Sequence, residues 1–241
     1  MCGRFVSTSP PDEVARYFGA DEVTEKALDP SSGPNFNTAP TTQILVVRDR
    51  GDHRQVDRVR WGLVPSWAKD EKIGNRMINA RSETVAEKNA YRRAYRKRRC
   101  IVPADAFYEW EKIEGRKAKQ PWLIRRPDRE PFAFAGLWEA WYGPKDGDKL
   151  DEPVISCTIL TTEANNAMAE IHDRMPVIVA PAAWDTWLSA EVDDLEVLDS
   201  LLVPAPDALI ERHPISTAVN NVRNNGPELV EPLPDPASVR R

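Results

Sequence analysis

The stretch Arg99–Trp110, RCIVPADAFYEW, carries the pattern that decides the fold. Its β-branched and aromatic residues predict two strands, Arg99–Val102 and Ala106–Trp110, separated by a proline. Two segments of similar composition, Trp122–Arg125 and Phe132–Trp138, predict further strands close behind. Proline and short polar segments interrupt the run, so these strands must be joined by short connections.

Short strand and helix patterns interleave irregularly along the rest of the chain. Strands are predicted at Thr42–Arg48, Val59–Leu63, Val154–Leu160, Val177–Val179 and Ala208–Ile215. Helices are predicted at Ser9–Gly19, with Ser9 as the N-cap and Gly19 as the stop, and at Glu83–Arg96, Glu163–Ile171, Pro181–Leu188 and Asp194–Leu202. This order predicts an α+β fold in which short helices surround a mostly antiparallel or barrel-like β-sheet core.

The 241 residues contain no repeat and no Ser/Gly-rich linker, so they predict a single domain. We expect this domain to span residues 1–226 and the Pro-rich stretch 227–241 to form a C-terminal tail. No apolar stretch approaches the roughly 18 residues of a membrane span. The first residues also lack the pattern of a secretion signal. A cytoplasmic protein without a membrane partner is therefore predicted.

The charge pattern leaves two interpretations open. The formal net charge of −5 argues against a polyanionic partner for the surface as a whole. Six of the eight residues from Arg92 to Arg99 are nevertheless basic, and acidic residues concentrate at Glu191–Asp199. The basic stretch could bind a few phosphates, or it could be a solvated helix face.

The three cysteines Cys2, Cys100 and Cys157 are odd in number and far apart, so no disulfide framework is predicted. The chain has three histidines and no Cys-x-x-Cys pair, so neither a metal site nor a cofactor is expected.

Cys2 has special chemistry only if Met1 is removed. The new N-terminus would carry an α-amine with a reference pKa of about 7.7–8.0 and a thiol with one of about 8.5. An aldehyde can form an imine with this amine, and the thiol can then close a five-membered thiazolidine ring. The alternative is an ordinary second residue without a chemical role.

Three polar residues in apolar surroundings are candidate partners. Glu109 lies within the apolar run AFYEW, where a carboxyl group either pairs with a cation or becomes an acid–base catalyst. His172 could move protons. Asn79 shares a face with Arg81 if the segment is extended, and together they could orient a substrate. Each could equally be structural or solvent-facing.

Two tryptophans are the candidates for stacking against unpaired bases. Trp61 and Trp67 bracket a Gly- and Pro-containing segment, and Trp110 follows Glu109. We predict that Trp67 and Trp110 lie near a ligand. The core is the expected place for the tryptophans at 122, 138 and 141.

A set of motifs runs in order over nearly the whole chain: Met1–Phe5 (MCGRF), Asn37–Pro40 (NTAP), Trp61-Gly62, Ile78–Arg81 (INAR), Phe107–Trp110 (FYEW), Ile171–Pro176 (IHDRMP) and Val219–Asn224 (VNNVRN). With this set the sequence resembles the SOS response-associated peptidase family. Members of that family process abasic sites in DNA.

The resemblance implies that the chain removes Met1 autocatalytically, and that Cys2 then forms a thiazolidine with the ring-opened sugar of an abasic site in single-stranded DNA. It implies an autopeptidase with lyase-like Schiff-base chemistry in the DNA damage response, and it favours a monomer. The catalytic residues implied are Cys2, Asn79, Glu109 and His172. His172 would assist sugar ring opening, Glu109 would move protons, and Asn79 would orient the amine. The DNA-binding residues implied are Arg4, Asn37, Trp67, Arg81 and Trp110.

Two other functions remain as alternatives. An N-terminal-Cys amidohydrolase such as a glutamine amidotransferase also begins with a cysteine, but it needs an Asn-Gly pair, and the only such pair is Asn225-Gly226 in a Pro-flanked stretch. A non-covalent single-strand binder would use the tryptophans and arginines without Cys2, and its binding would be reversible and salt-sensitive.

Overall fold

Short strands and helices make up the fold, which a computed structural model describes for residues 2–115 and 117–233. The strands are β1 (Phe5–Ser7), β2 (Glu22–Val23), β3 (Asn35–Thr38), β4 (Gln43–Asp49), β5 (Arg54–Trp61), β6 (Asn79–Arg81), β7 (Arg99–Ala104), β8 (Ala106–Glu111), β9 (Gln120–Arg125), β10 (Phe132–Trp141), β11 (Val154–Glu163), β12 (Arg174–Pro176) and β13 (Glu211–Pro214). The α-helices are α1 (Pro11–Phe18), α2 (Arg92–Lys97), α3 (Asn166–Ala169), α4 (Trp184–Leu188) and α5 (Leu195–Ser200). The 3₁₀ helices span Glu71–Arg76, Ser82–Thr84, Pro181–Ala183, Asp207–Leu209, Thr217–Asn220 and Pro227–Val230.

Five strands close into a barrel. Antiparallel pairing joins β5 to β4, β4 to β7, β7 to β10 and β10 to β11. The circle closes where β11 returns to β5 in a parallel pairing of Cys157 with Trp61. A second, antiparallel sheet has the strand order β13-β9-β8-β1-β3. The predicted α+β fold with a barrel-like core is therefore confirmed.

Both faces of the barrel wall are buried. Along β4, Ile44 and Val46 belong to a cluster that also contains Cys2, while Leu45 and Val47 belong to a second cluster packed against the helices. A strand covered on both faces reads as a continuous apolar run, as ILVV does here. Burial of these side chains stabilises the barrel by roughly 1.5–3 kcal/mol each.

A buried ion pair lies on the inner face of the barrel near the β4–β5 turn. Arg48 pairs with Asp57, and its guanidinium lies 4.7 Å from the ring centre of Trp138. Thr24 donates a hydrogen bond to the same carboxylate. A charge in such a place needs its partner, because removing one of the two would leave the other buried and uncompensated.

The prediction of one continuous helix over Glu83–Arg96 is wrong. The structure has a 3₁₀ helix at Ser82–Thr84, a stretch of turns, and α2 only from Arg92. Val85 and Ala94 are both buried in the same cluster. They are nine residues apart, which is two and a half helical turns, so one straight helix would point them in opposite directions. Breaking the helix lets both reach the core.

Two other element predictions need correction. The strand predicted at Val177–Val179 lies earlier, at β12, because residues 174–176 pair with β11, whereas Ile178 forms only an isolated bridge. Ser9 does not cap α1, because its hydroxyl donates to Asp105 and the N-cap is Pro10. The predicted stop at Gly19 is confirmed by its left-handed conformation.

The first residues of the predicted tail pack onto the domain. Pro227–Val230 forms a 3₁₀ helix, and Leu229 is fully buried in a cluster with Ile215 and Val219. The packed chain thus continues past residue 226. The remaining tail, residues 234–241, lies outside the described residues, and its looseness stays a prediction.

We expect Gly62→Ala to destabilise the protein by at least about 1 kcal/mol. Gly62 follows β5 with φ +126°, and a β-carbon there would lie 2.5 Å from the carbonyl oxygen of Gly74. The substitution would strain the backbone and separate two segments that touch. Urea unfolding measures the loss. Gly33→Ala is the matched control, because no atom lies within 4 Å of its added β-carbon, and an equal loss in both variants would contradict the argument.

Candidate active site

Cys2 lies directly before β1, between the barrel and the second sheet. Its side chain is fully buried, and its cluster includes Phe5 of β1 and Trp61 and Cys157 of the barrel. β1 pairs with β8 through Phe5 and Phe107. This pairing brings the N-terminal segment alongside the strand that carries Glu109.

Asn79 holds the main chain of Cys2 from the barrel side. It lies on β6, which pairs in parallel with β11, and its Nδ2 donates a 2.8 Å hydrogen bond to the carbonyl oxygen of Cys2. Its Oδ1 is buried and accepts no hydrogen bond from any residue in the described part of the chain. The amide therefore fixes Cys2 and keeps an acceptor on the same side.

Glu109 faces Cys2 from the second sheet. Its side chain is 2% exposed on β8, opposite Trp122 of β9. Burial raises the pKa of the Cys2 thiol far above its ordinary value, and the nearby Glu109 carboxylate raises this pKa further. The backbone N–H of Arg4 partly offsets the effect. At neutral pH the Cys2 thiol is therefore protonated.

His172 lies in the connection between α3 and β12. Its Nδ1 accepts a 3.0 Å hydrogen bond from the backbone N–H of Arg174 and is 2.9 Å from a carboxylate oxygen of Asp173. β12 pairs with β11, and β6, the strand that carries Asn79, pairs with β11 as well.

Arg4 joins the Cys2 segment to its surroundings. Its Nη1 donates to Oδ1 of Asn37 at 2.6 Å and to the carbonyl oxygen of Val219 at 3.0 Å. Its guanidinium carbon is 5.8 Å from the ring centre of Trp110. Three predicted DNA-binding residues, Arg4, Asn37 and Trp110, thus lie in one group. Arg4 is two residues along the chain from Cys2.

Asn37 is only 3% exposed, and its amide is fully used. Its Nδ2 donates to the carbonyl oxygens of Val219, Asn221 and Asn224, at 3.2, 3.1 and 3.0 Å. This burial argues against the direct DNA contact predicted for Asn37. The geometry favours a positioning role instead.

Trp67 and Arg81 are exposed, as a contact with an extended ligand requires. Trp67 is 48% exposed in the loop after β5, and that loop is held where Trp141 donates a 2.8 Å hydrogen bond to Ala68. Arg81 is two residues beyond Asn79 on β6 and therefore shares its side of the strand. Trp61, by contrast, is fully buried.

Most of the basic stretch at residues 92–99 has structural partners. Arg99 is 2% exposed, and its guanidinium donates to several carbonyl oxygens, including those of Tyr95 and Trp187. Arg98 pairs with Glu139, and Lys97 pairs with Asp193. These contacts anchor α2 and leave little of the stretch for a phosphate-binding surface.

The role of the 219–224 loop could not be read from the sequence. Its motif VNNVRN was visible, but Asn37 and Arg4, which bind it, are more than 180 residues away along the chain. Only the fold brings them together.

Within residues 2–115 and 117–233, no group of three or more His, Cys, Asp or Glu side chains could hold a metal ion. The same residues include no helix long and apolar enough to cross a membrane.

The structure defines an α+β protein in which a five-stranded barrel and a second sheet enclose Cys2, the second residue of the chain, beside an amide and a carboxylate. The chain belongs to the SOS response associated peptidase (SRAP) family, whose model matches residues 1–222.

Relatives of known name match almost the whole chain. The chain is 42% identical over 231 residues to the abasic site processing protein YoqW of Bacillus subtilis, covering 96% of this chain and 99% of that protein. It is 33% identical to YedK of Escherichia coli, another abasic site processing protein, with coverage of 97% and 100%. A crystal structure of a Bacteroides thetaiotaomicron protein shares the fold with a TM-score of 0.83 at 23% identity, covering 96% of this chain and all of that one.

Proposed function

We propose that this chain processes abasic sites in single-stranded DNA by linking Cys2 covalently to the ring-opened sugar. The observation that carries the proposal is the position of Cys2, buried with its carbonyl held by Asn79 and its thiol facing the charge of Glu109. The names of the relatives support abasic DNA as the substrate.

The first step is hydrolysis of the peptide bond between Met1 and Cys2. Water adds to the carbonyl carbon of Met1, the C–N bond breaks, and the proton passes to the departing amine. The products are free methionine and a chain with an α-amine on Cys2. Glu109 would activate the water and return the proton, because its carboxylate lies close enough to Cys2 to raise the pKa of that thiol.

The second step forms the ring. The amine attacks the sugar aldehyde, and loss of water leaves an imine. The thiol then adds across the C=N bond, sulfur to carbon and proton to nitrogen. We propose that the amine attacks first and the thiol second, because the thiol closes the ring on the imine carbon that the amine has formed. Glu109 can carry the proton from sulfur to nitrogen.

We propose that His172 assists opening of the deoxyribose ring, which exposes the aldehyde. An imidazole can both accept and donate a proton, which suits this role, and Arg174 and Asp173 hold the ring at Nδ1. Arg4 and Arg81 would bind phosphates, and Trp67 and Trp110 would stack on bases. We further propose that the protein acts as a monomer in the cytoplasm.

Asn79→Ala should slow crosslinking about 10–100-fold while leaving the fold intact. The variant loses the hydrogen bond to the Cys2 carbonyl and the buried acceptor beside it, so the amine is no longer held in position. Single-turnover crosslinking of an abasic oligonucleotide, together with circular dichroism, tests this. A wild-type rate in a folded variant would remove Asn79 from the mechanism.

The direct test of the proposed function uses mature protein and a single-stranded oligonucleotide with one abasic site. A complex that survives denaturing electrophoresis is expected, and its absence would overturn the proposal. The non-covalent alternative predicts binding that denaturation and high salt abolish. The amidohydrolase alternative needs Asn225 at an oxyanion, yet its side chain accepts from Phe36 N–H and donates to the carbonyl of Pro34.

A further inference from the structure

Three side chains hydrogen-bond to the 219–224 loop, one from the Cys2 segment and one from each of two strands. Arg4, before β1, donates to the carbonyl of Val219. Asn37 on β3 donates to three of the loop's carbonyls. Trp110 on β8 donates a 2.7 Å hydrogen bond from Nε1 to Oδ1 of Asn220. The loop is therefore linked to Cys2 through Arg4, which lies two residues further along the chain.

Hydrogen bonds between neighbouring residues also stabilise the loop. The backbone N–H of Arg223 donates to Oδ1 of Asn221, and Nδ2 of Asn224 donates to the carbonyl of Ala218. Its conformation is thus set before any ligand arrives, so binding a ligand would cost little ordering of the loop.

Two side chains have no part in this network. Val222 is 55% exposed, and Arg223 is exposed and makes no ion pair with a residue in the described part of the chain. Between Pro214 and Pro227, Arg223 is the only charged residue, although the whole chain carries a net charge of −5. The loop thus presents an exposed positive charge and an exposed apolar side chain, and its residues Val219 and Asn220 contact Arg4 and Trp110.

We propose that the 219–224 loop is a preformed DNA-contact arm, in which Arg223 binds a backbone phosphate and Val222 packs against the nucleotide beside the abasic sugar. A single strand offers both groups, because its phosphates repeat along the chain and its bases expose apolar faces. The proposal rests on the proposed function of the Cys2 site. Asn37 acts as its positioning residue.

The test measures binding of mature protein to a labelled single-stranded oligonucleotide without a lesion, over a series of KCl concentrations. Arg223→Ala should weaken binding about tenfold at low salt, and it should reduce the slope of log affinity against log salt by about 0.7. Arg223→Lys should keep the slope. Val222→Ser should keep the slope but bind more weakly at every salt concentration.

Arg50→Ala is the matched control. Arg50 is an exposed arginine at the turn between β4 and β5. This turn is about 20 Å along β4 from the end near Trp61 and Cys2. The control removes the same charge and should bind like the unaltered protein. If Arg223→Ala and Arg50→Ala gave the same affinity and salt slope, the arm would be overturned.

A second assay separates this inference from the proposed function. Crosslinking of an abasic oligonucleotide by Arg223→Ala at limiting protein should slow in proportion to the loss of binding, and it should recover at saturating protein. If the unaltered protein bound DNA through Arg223 but never crosslinked, the arm would stand and the covalent function would fail. If the unaltered protein crosslinked and Arg223→Ala showed no loss of binding or crosslinking, the covalent function would stand and the arm would fail.

Discussion

The Cys2→Ser variant is expected to form no adduct that survives denaturation, yet to form one when borohydride is present. The variant keeps the α-amine, so the imine with the abasic sugar can still form, and borohydride reduces it to a stable secondary amine. The hydroxyl replaces the far more nucleophilic thiol, so the ring does not close. The variant therefore separates the contribution of the Cys2 α-amine from that of the Cys2 thiol.

The measurement is denaturing electrophoresis of mature protein and abasic oligonucleotide, with and without borohydride. Intact-mass analysis first establishes that Met1 has been removed from the variant. Cys100 and Cys157 remain in it, but each lies within the chain and has no free α-amine, so neither can form a thiazolidine. A stable adduct without borohydride would show that the Cys2 thiol is not needed, and the thiazolidine mechanism would fall.

Glu109→Gln is expected to retain Met1 and, where Met1 is removed by other means, to crosslink about 100-fold more slowly or worse. Glutamine has nearly the same shape but cannot take up the proton that each step releases. Since Glu109 is 2% exposed, bulk water does not readily replace it as a base. Intact mass gives the first result, and single-turnover kinetics give the second.

Glu111→Gln is the matched control for this prediction. It removes the same charge from the same strand, two residues further on, where the carboxylate accepts a 2.9 Å hydrogen bond from Trp122. The control should lose Met1 and crosslink normally. Equal defects in both variants would point to the sheet rather than to a proton carrier, and a fully processed, fast Glu109→Gln variant would exclude Glu109 from the chemistry.

Most of the strands could be predicted from the sequence, because the composition of each short segment already favours a strand. The runs at Thr42–Arg48 and Val154–Leu160 are β-branched and apolar, and they appear in the structure as β4 and β11. Helices were less predictable. The composition of residues 83–96 suits a helix, but the need to bury both Val85 and Ala94 in one core broke it.

The sequence alone also determined which residue types could do the chemistry. A cysteine at position two can become an amine and a thiol on adjacent carbons, and a carboxyl within the apolar run AFYEW is a candidate for burial, although it could also face solvent. Glu109 is indeed buried. That much follows from residue chemistry and position along the chain.

Only the tertiary structure decided which of these groups meet. The hydrogen bond from Asn79 to Cys2 spans 77 residues, and those from Asn37 to the 219–224 loop span more than 180. No periodicity encodes such contacts, because they depend on closure of the barrel by β11 against β5 and on the pairing of β8 with β1 and of β1 with β3. For that reason the sequence could predict a DNA contact at Asn37, while its burial in the fold favours a positioning residue instead.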